Sequence, residues 1–416
     1  MFDIPRGTRD FNSEEMHKRR FVEKTFSNVF KSFGYHEVQT PTFEHLELFT
    51  IKSGDSIINE IYSFADKGGR NLALRPELTA PVMRMYVDKL QMNPKPLKLF
   101  YFGNCYRYDR PQKGRYREFT QAGCELIGTN TPEALAELIS MSYVLFTNIG
   151  LHNISLHVGN LKLLKLLFEK LKISQDQLKH LLPLIDKELF DDIRQALHDF
   201  GFDENRIIKF ISLFQQTSFD ELYEIFNSNE EALNEINRMK EIFQIMKASF
   251  NINTIHLHLG IVRGLDYYTG MVFEIKAPSL GAEKQICGGG EYDLISLFEG
   301  RPSPTSGFAI GFDRSILAME LEKIPFPKIS TDYFIIPINK DMIQKSLEIA
   351  MVLRQKGKIV DIDLMRRGMG KAMKYASSMN AENVIFVGPD EIEKNAITIK
   401  NMESGNQEII SINDIN

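Results

Sequence analysis

The segment most informative about the fold is Phe102–Glu125, FGNCYRYDRPQKGRYREFTQAGCE. Its two ends have the composition of β-strands, and Pro111 and Gly114 stand between them, which predicts a β-hairpin with a loop at its tip. The basic residues of this hairpin are Arg107, Arg110, Lys113, Arg115 and Arg117. Because Asp109 is the only acidic residue among them, the hairpin favours a binding site for an anion.

The second strand of the hairpin separates its side chains onto two faces, because successive residues of a β-strand point to opposite sides. The face that is predicted to be core holds Thr120, Ala122, Cys124 and Leu126. The other face holds Gln121, Gly123 and Glu125. Glycine on that face leaves room for a small polar ligand, and Arg107 on the first strand can direct its guanidinium to a phosphate or carboxylate there. A solvated sheet face with surface arginines is the alternative interpretation of this segment.

The composition of the chain is that of an ordinary globular protein. It has 416 residues, 43% of them hydrophobic and 25% charged, and a formal net charge of −5. The length predicts roughly two to three domains, and the charge argues against binding nucleic acid over the whole surface while it allows local basic patches. The cysteines Cys105, Cys124 and Cys287 lack the spacing of a metal site, and their odd number argues against a disulfide framework.

The sequence contains no recognisable secretory signal or membrane span. The N-terminal stretch MFDIPRGTRDF has charges and a proline where a signal peptide has apolar residues. No run approaches the roughly 18 consecutive apolar residues of a transmembrane helix. Together with the unpaired cysteines, these observations predict a cytoplasmic protein without a membrane partner.

Changes of composition along the chain predict three parts. Residues 1–160 and 252–325 mix strand and helix patterns, whereas residues 161–251 contain helical-period runs with almost no glycine. A helical block inserted into a mixed domain is the simplest account. After the segment IPFPKIS, residues 330–416 alternate β-α-β-α-β, which predicts a small α/β domain with parallel strand pairing.

Local patterns predict the individual elements of the mixed domain. Strands are predicted at Asn71–Arg75, Leu97–Phe102, Phe119–Ile127, Ile154–Val158, Met271–Lys276 and Gly307–Gly311. Helices are predicted at Thr79–Leu90, Pro132–Thr147 and Phe312–Glu322, and an earlier one ends at Gly34. The glycine run of Cys287–Tyr292, CGGGEY, is predicted to be a turn.

Two motifs place polar residues where a strand leads into a helix. Glu77 and Thr79, in the run RPELT, lie at a predicted helix N-terminus, where a carboxylate can also serve only the helix dipole. Arg314, in the run GFDR, lies in the first helical turn after a short apolar strand, and such a position suits an anion. A solvent-facing arginine is the common alternative for the second motif.

A third motif, GIVRGLDYYTG, surrounds Arg263 with apolar residues and glycine, so this arginine needs an anionic partner if it is buried. Tyr267 and Tyr268 offer hydroxyls and aromatic walls to a polar ligand. The alternative is a pair of core tyrosines and a salt bridge from Arg263 to Asp266. No catalytic serine triad, zinc ligand set or cysteine–histidine pair is evident, so the arginines predict polyphosphate chemistry by positioning and electrostatics.

The motifs of the chain, taken in order, resemble those of histidyl-tRNA synthetases, which are class II aminoacyl-tRNA synthetases. They are PRGTRDF, QTPTFEHLELF, LRPELTAP, CYRYDRPQKGRYREFTQAGCE, VRGLDYYTG, CGGGEYD and GFAIGFDR. The resemblance extends from residue 5 to about residue 390, and the class II motifs correspond to Thr40–Phe49, Phe102–Glu125 and Gly307–Leu321. It implies an α+β fold, in which an antiparallel sheet flanked by helices forms the catalytic domain, 161–251 is a helical insertion and 330–416 is an anticodon-binding domain.

The resemblance also implies roles for the residues singled out above. Arg107 and Arg263 would hold the α-phosphate of ATP from opposite sides, the latter where other class II enzymes use a metal ion. Arg314 would hold the γ-phosphate, and Arg115 would contribute to ATP binding. The residues expected to bind the histidine amino group are Glu77, Thr79 and Gln121. Those expected at the imidazole are Glu125 and Tyr268, with Tyr267 beside them.

The expected partners follow from the same resemblance. They are L-histidine, ATP as a substrate with Mg²⁺, tRNA(His) and a second copy of the chain in a homodimer, with no protein side chain assigned as a metal ligand. Arg110 and Lys113 at the hairpin tip and Arg366 and Arg367 near the C-terminus would contact the tRNA.

Two positions depart from the family pattern. Leu78 stands where glycine is common, and Glu291 stands where arginine is common, which removes a positive charge near the expected histidine pocket. The alternative function is that of a synthetase-like regulatory subunit of ATP phosphoribosyltransferase, which binds histidine without aminoacylating tRNA. Such paralogues tend to lose the catalytic arginines or the C-terminal domain, and this sequence keeps both.

Overall fold

A computed structural model of the chain describes residues 2–53, 55–108, 114–215, 217–262 and 268–412. The chain forms two compact units, and the division falls between Pro325 and Phe326, with Ser13–His17 grouped with the second unit. Within these described ranges, no helix is both long enough and apolar enough to cross a membrane.

The first unit contains a large sheet, a small sheet and most of the helices. Its strands are β1 His36–Glu37, β2 Phe43–His45, β3 Ser63–Ala65, β4 Asn71–Leu74, β5 Leu97–Tyr106, β6 Glu118–Ile127, β7 Ser155–Asn160, β8 Ile255–Leu257, β9 Tyr268–Lys276, β10 Gln285–Tyr292 and β11 Thr305–Gly311. Its α-helices are α1 Ser13–Ser32, α2 Glu47–Ser53, α3 Thr79–Met85, α4 Pro132–Asn148, α5 Leu161–Lys170, α6 Gln175–Asp186, α7 Phe190–Asp199, α8 Glu204–Gln215, α9 Phe219–Ile225, α10 Glu230–Phe250 and α11 Phe312–Leu321.

The large sheet has eight strands in the order β1-β5-β6-β11-β10-β9-β7-β8. The pairs β1/β5 and β7/β8 at its edges are parallel, and the remaining neighbours are antiparallel. The hairpin strands β5 and β6 pair from Leu97 opposite Ile127 to Tyr106 opposite Glu118. The predicted α+β fold is confirmed, although the parallel edges make the sheet mixed.

One face of the large sheet is covered by helices whose aromatic side chains form a core. On α1, Phe26 and Phe30 share one helix face and are fully buried. The Phe30 ring lies 5.0 Å from that of Phe100 and 6.1 Å from that of Phe308, between centroids, and Phe26 lies 5.9 Å from Phe146 of α4. This packing leaves the opposite face of β5, β6 and β11 as the face that can receive a ligand.

The glycine run of Cys287–Tyr292 is not a turn, and that prediction is wrong. These residues belong to β10, between β9 and β11 in the middle of the sheet. A Cβ atom on Gly289 would overlap the carbonyl oxygen of Gly307, and one on Gly290 would overlap that of Met271. The glycines therefore allow close approach of neighbouring backbones, which a local turn rule does not anticipate.

The predicted helical block is helical in the structure, because α5 to α10 occupy most of Leu161–Phe250. These helices are grouped with the rest of the first unit. The status of residues 161–251 as a separate insertion domain stays a prediction.

The second unit is a five-stranded sheet with helices. Its elements are β12 Thr331–Pro337, α12 Ile343–Gln355, β13 Val360–Ile362, α13 Met369–Ser378, β14 Ala381–Val387, α14 Pro389–Glu393, β15 Ala396–Asn401 and β16 Gln407–Ser411. The sheet order is β13-β12-β14-β15-β16. The first three strands are parallel, as predicted, and the last two add antiparallel pairs.

Candidate active site

A cavity of about 560 Å³ lies on the open face of the large sheet. The hairpin, the strand-to-helix junctions before α3 and α11, and the strands β9 and β10 all contribute to its lining. The predicted site residues that line it are Glu77, Thr79, Arg107, Arg115, Gln121, Glu125, Tyr268 and Arg314. Arg110, Lys113, Arg263 and Tyr267 lie outside the described residues.

Glu125 lines the cavity with only 1% of its surface exposed. The Tyr101 hydroxyl donates to its Oε1 atom at 2.8 Å, and the Tyr292 hydroxyl donates to Oε2. Burial raises the pKa of this carboxyl from 4.5 to about 8, against the lowering effect of the two tyrosine hydrogen bonds. Burial also raises the pKa of both tyrosines well above 10, so both hydroxyls remain donors.

Two glycines make room for this arrangement. A Cβ atom on Gly307 of β11 would overlap the Glu125 carboxylate, and one on Gly123 would lie 2.6 Å from the Tyr101 hydroxyl. The sequence-based expectation that Gly123 admits a ligand to the backbone is therefore wrong, because the Tyr101 ring lies over it. Ala122, Cys124 and Leu126 are buried on the other face, as predicted.

Gln121 and Glu77 are held by the start of α3. The Gln121 Oε1 atom accepts the Leu78 N–H at 3.0 Å and the Cys105 thiol at 3.7 Å, which leaves its NH₂ group as a donor. The Glu77 carboxylate accepts the N–H of Thr79 at 2.6 Å and that of Ala80 at 3.0 Å. Glu77 thus accepts the free N–H groups at the helix N-terminus, as the alternative interpretation predicts. It also lines the cavity.

Arginines at the other end of the cavity are oriented by backbone carbonyls. Arg107 Nε donates to the Pro76 oxygen at 2.9 Å. Arg314 donates to the Gly114 oxygen at 3.1 Å and to the Gln285 oxygen at 3.0 Å. These contacts fix the orientation of both guanidinium groups at the cavity.

A carboxylate next to Arg314 organises the same end. The Oδ1 atom of Asp313 accepts one hydrogen bond from Arg9 and one from Arg19, each at 2.6 Å. Its Oδ2 atom accepts the Thr120 N–H at 2.7 Å. The Arg9 guanidinium also lies 3.3 Å from the centroid of the Tyr116 ring in the hairpin. These contacts join the N-terminal segment, the hairpin and α11 around the cavity.

Sequence reasoning did not identify Tyr101, Tyr292 or Asp313 as site residues. Tyr101 could have been found from the pairing of β5 with β6, because it lies opposite Gly123 and two residues from Leu99, which faces Glu125. Tyr292 and Asp313 each lie within a motif of the sequence analysis, CGGGEY and GFDR. Nothing in either motif indicates that Tyr292 donates to Glu125 or that Asp313 accepts hydrogen bonds from two arginines.

The two departures from the family pattern do not face the cavity. The Leu78 side chain is buried in the hydrophobic core beside Val82 and Tyr101. Glu291 forms an ion pair with Arg238 of α10 and is absent from the cavity lining. The acidic residue therefore places no uncompensated charge beside Glu125.

In the second unit, the two neighbouring arginines have different environments. Arg366 is exposed and has a positive φ of 52°. Arg367 donates to the Asp363 carboxylate through its side chain, and its guanidinium lies 3.9 Å from the centroid of the Tyr375 ring. The Arg367 side chain is therefore occupied by contacts within the second unit, whereas the Arg366 side chain faces solvent.

Comparisons with known proteins bear on the whole chain. The model of a family described as histidyl-tRNA synthetase matches residues 7–314, and one described as an anticodon binding domain matches residues 332–416. A histidine–tRNA ligase of Methanocaldococcus jannaschii is 45% identical and covers 100% of this chain and 99% of its own length. One of Archaeoglobus fulgidus is 42% identical over 98% of this chain and 97% of its own.

Solved structures agree with this result. Apo histidyl-tRNA synthetase of S. aureus superposes with a TM-score of 0.72 at 27% identity, covering 99% of this chain and 98% of that chain. Histidyl-tRNA synthetase of Nostoc superposes with a TM-score of 0.86, covering 99% and 97%, and at 22% identity it shows the fold alone.

Proposed function

The chain belongs to the histidyl-tRNA synthetase family, and we propose that it activates L-histidine with ATP and transfers it to tRNA(His). The observation that carries the proposal is one cavity with two unlike ends. A buried carboxyl group with two tyrosines occupies one end, and arginines held by backbone carbonyls occupy the other. The first suits an imidazole, and the second suits a polyphosphate.

At the closed end, the imidazole of histidine would meet Glu125 and Tyr268. An imidazole offers one donor and one acceptor, which a carboxyl group and a phenol can contact together. A competing amino acid without these groups would lose the hydrogen bonds to Glu125 and Tyr268, so discrimination by hydrogen bonds exceeds discrimination by size. Tyr267 is assigned beside them by resemblance alone.

The backbone end of the amino acid would lie beside α3. The Glu77 carboxylate and the Thr79 hydroxyl can accept from the α-amino group. Gln121 was expected to bind the same group, but its amide oxygen is already engaged by Leu78 and Cys105. Its NH₂ group suits the substrate carboxylate better than an ammonium group.

At the open end, a histidine carboxylate oxygen would attack the α-phosphorus of ATP. The new P–O bond forms as the bond to the β-phosphate oxygen breaks, and pyrophosphate leaves with that electron pair. Arg107 would stabilise the charge on the α-phosphate and Arg314 the γ-phosphate, with Arg115 nearby. By resemblance, Arg263 would face Arg107 across the α-phosphate.

Transfer to tRNA would use both units of the chain. A hydroxyl of the terminal ribose attacks the histidyl carbonyl carbon, and AMP leaves. Arg110 and Lys113 are assigned to the acceptor end by resemblance. In the second unit, Arg366 is the better candidate for a phosphate contact, because Arg367 is paired with Asp363.

The remaining partners are proposed on more general grounds. Mg²⁺ would arrive with the phosphates of ATP, and the described part of the chain has no cluster of three His, Cys, Asp or Glu residues that could hold a metal. A homodimer is supported by Phe43 and Phe64 on the small sheet, which are 52% and 45% exposed and in edge contact with each other. Action in the cytoplasm is proposed because aminoacylation occurs where translation does.

The direct test is histidine-dependent exchange between pyrophosphate and ATP. We expect exchange with histidine and none with the other amino acids, and a folded protein that shows no exchange would refute the proposal. Arg263→Ala is expected to abolish adenylate formation while histidine binding remains, whereas normal exchange by this variant would contradict its assigned role. The regulatory-subunit alternative is not favoured, since relatives named histidine–tRNA ligase span the whole chain.

A further inference from the structure

An ion pair joins the last helix of the helical block to the sheet behind the cavity. Arg238 of α10 donates to Glu291 of β10 through both terminal nitrogens, at 3.1 and 2.6 Å. Arg238 also donates to the Asn130 oxygen at 2.7 Å. The two side chains are only 21% and 9% exposed, so this pair differs from solvated surface pairs of little energetic value.

Glu291 lies at an irregularity of the sheet. Gly290 pairs with Val272 and Tyr292 pairs with Tyr268, so β9 has more residues than β10 at this point. The Glu291 Oε2 atom accepts the N–H of Met271 at 2.8 Å, inside the irregular segment. The carboxylate therefore takes the place of a ladder acceptor, and Arg238 compensates the charge that this brings into the sheet.

The residues that flank this irregularity are the ones that face the histidine end of the cavity. Tyr292 follows Glu291 directly and donates to Glu125. Tyr268 opens β9, and its ring centroid lies 6.3 Å from that of Tyr292 in an edge-to-face arrangement. Both tyrosines line the cavity, whereas neither Arg238 nor Glu291 does.

We propose that the Arg238–Glu291 pair positions Tyr268 and Tyr292 for the imidazole of the substrate and couples α10 to this pocket. The pair holds the end of β10 and the start of β9, so both tyrosines keep the orientation that meets the ligand. Arg238 and Glu291 are positioning residues, because they act on the substrate through the two tyrosines. The inference rests on the proposed function.

The test measures the two substrates separately in histidine-dependent pyrophosphate exchange, with the full chain and the variants Arg238→Met, Glu291→Gln and their combination. We expect each single variant to raise the KM for histidine about 10-fold while the KM for ATP changes less than about twofold. The double variant is expected to be no worse than the more impaired single one, because both act through one contact. Arg238→Lys, which keeps the charge without the two-pronged geometry, is expected to restore part of the loss.

Arg194→Met is the matched control, since Arg194 forms an exposed pair with Glu204 at the start of α8. It should leave both KM values unchanged. An unchanged KM for histidine in a folded Glu291→Gln protein, an equal rise in both KM values, or failure of all variants to fold would overturn the inference. Wild-type protein without exchange would instead overturn the proposed function, so the two failures are distinguishable.

Discussion

The two ends of the cavity achieve binding by opposite electrostatic means. At the histidine end, Glu125 is removed from water and contacted by two neutral hydroxyls, and its pKa rises to about 8. At the phosphate end, Arg107 and Arg314 are oriented by uncharged carbonyl oxygens. A buried, near-neutral end can discriminate by hydrogen bonds, whereas a fixed cationic end attracts any polyphosphate.

Specificity and catalytic power would reside at different ends of the cavity. Removal of a group from the closed end leaves a buried partner unsatisfied, so the cost depends on the identity of the amino acid. Removal of a cation from the open end affects charge that develops as pyrophosphate leaves, so the cost falls on the rate for every substrate. The predictions below contrast these two consequences.

The strongest expected effect is on the stability of the histidine end as a function of pH. Because the folded-state pKa of Glu125 is raised from 4.5 to about 8, its stabilising contribution is present below pH 4.5 and lost as the pH rises through 8. A shift of this size corresponds to roughly 4 to 5 kcal/mol. The difference in thermal unfolding midpoint between wild type and Glu125→Gln should therefore change between pH 5 and pH 8 in favour of the variant.

Glu23→Gln is the control for this measurement, because Glu23 lies on the exposed side of α1 in a surface pair with Arg20. Its midpoint should follow that of wild type at every pH. If Glu125→Gln did the same, the carboxyl group would have an ordinary pKa and the contrast between the two ends would fail.

At the phosphate end, Arg107→Ala should lower kcat/KM for exchange about 10³-fold, because a preorganised cation next to the reacting phosphate is lost. Arg107→Lys should recover only part of this, since a point charge lacks the planar fork. Arg70→Ala is the control, because Arg70 forms an exposed pair with Asp66. It should leave kcat/KM for exchange unchanged. An equally small effect of both alanine variants on kcat/KM would show that Arg107 does not stabilise the reacting phosphate.

At the histidine end, Glu125→Gln should raise the KM for histidine about 100-fold with little change in the KM for ATP. The amide places a donor against one of the two tyrosine hydroxyls, which are donors themselves. The KM values for histidine and for ATP in pyrophosphate exchange provide the measurement, and isothermal titration with histidine in the absence of ATP gives the corresponding loss of histidine affinity. A comparable loss of ATP affinity would show that the two ends do not act independently.

The smallest expected effect is that of Glu77→Gln, which should raise the KM for histidine roughly threefold, in line with the modest value of a carboxylate at a helix N-terminus. The amide oxygen still accepts one N–H at the start of α3, so the fold should be retained. A loss as large as that of Glu125→Gln would make Glu77 a primary ligand of the amino group.

Much of the fold could be predicted because the responsible patterns are local. The hairpin follows from strand composition on both sides of proline and glycine, and the alternation in β6 separates the buried Ala122, Cys124 and Leu126 from Gln121 and Glu125. The glycine run of β10 was wrongly predicted to be a turn. Its glycines are required because the backbones of β9 and β11 approach them too closely for a Cβ atom. Local rules carry no information about those neighbours.

The amino-acid sequence alone predicts the hairpin, its two faces and the parallel strands of the second unit, since each depends on residues a few places apart. The packing of the folded chain brings Tyr101 and Tyr292 to Glu125, Arg9 and Arg19 to Asp313, and Arg238 to Glu291. These partners come from distant parts of the chain. The physical reason is that burial and charge compensation are properties of the packed neighbourhood, which no local pattern specifies.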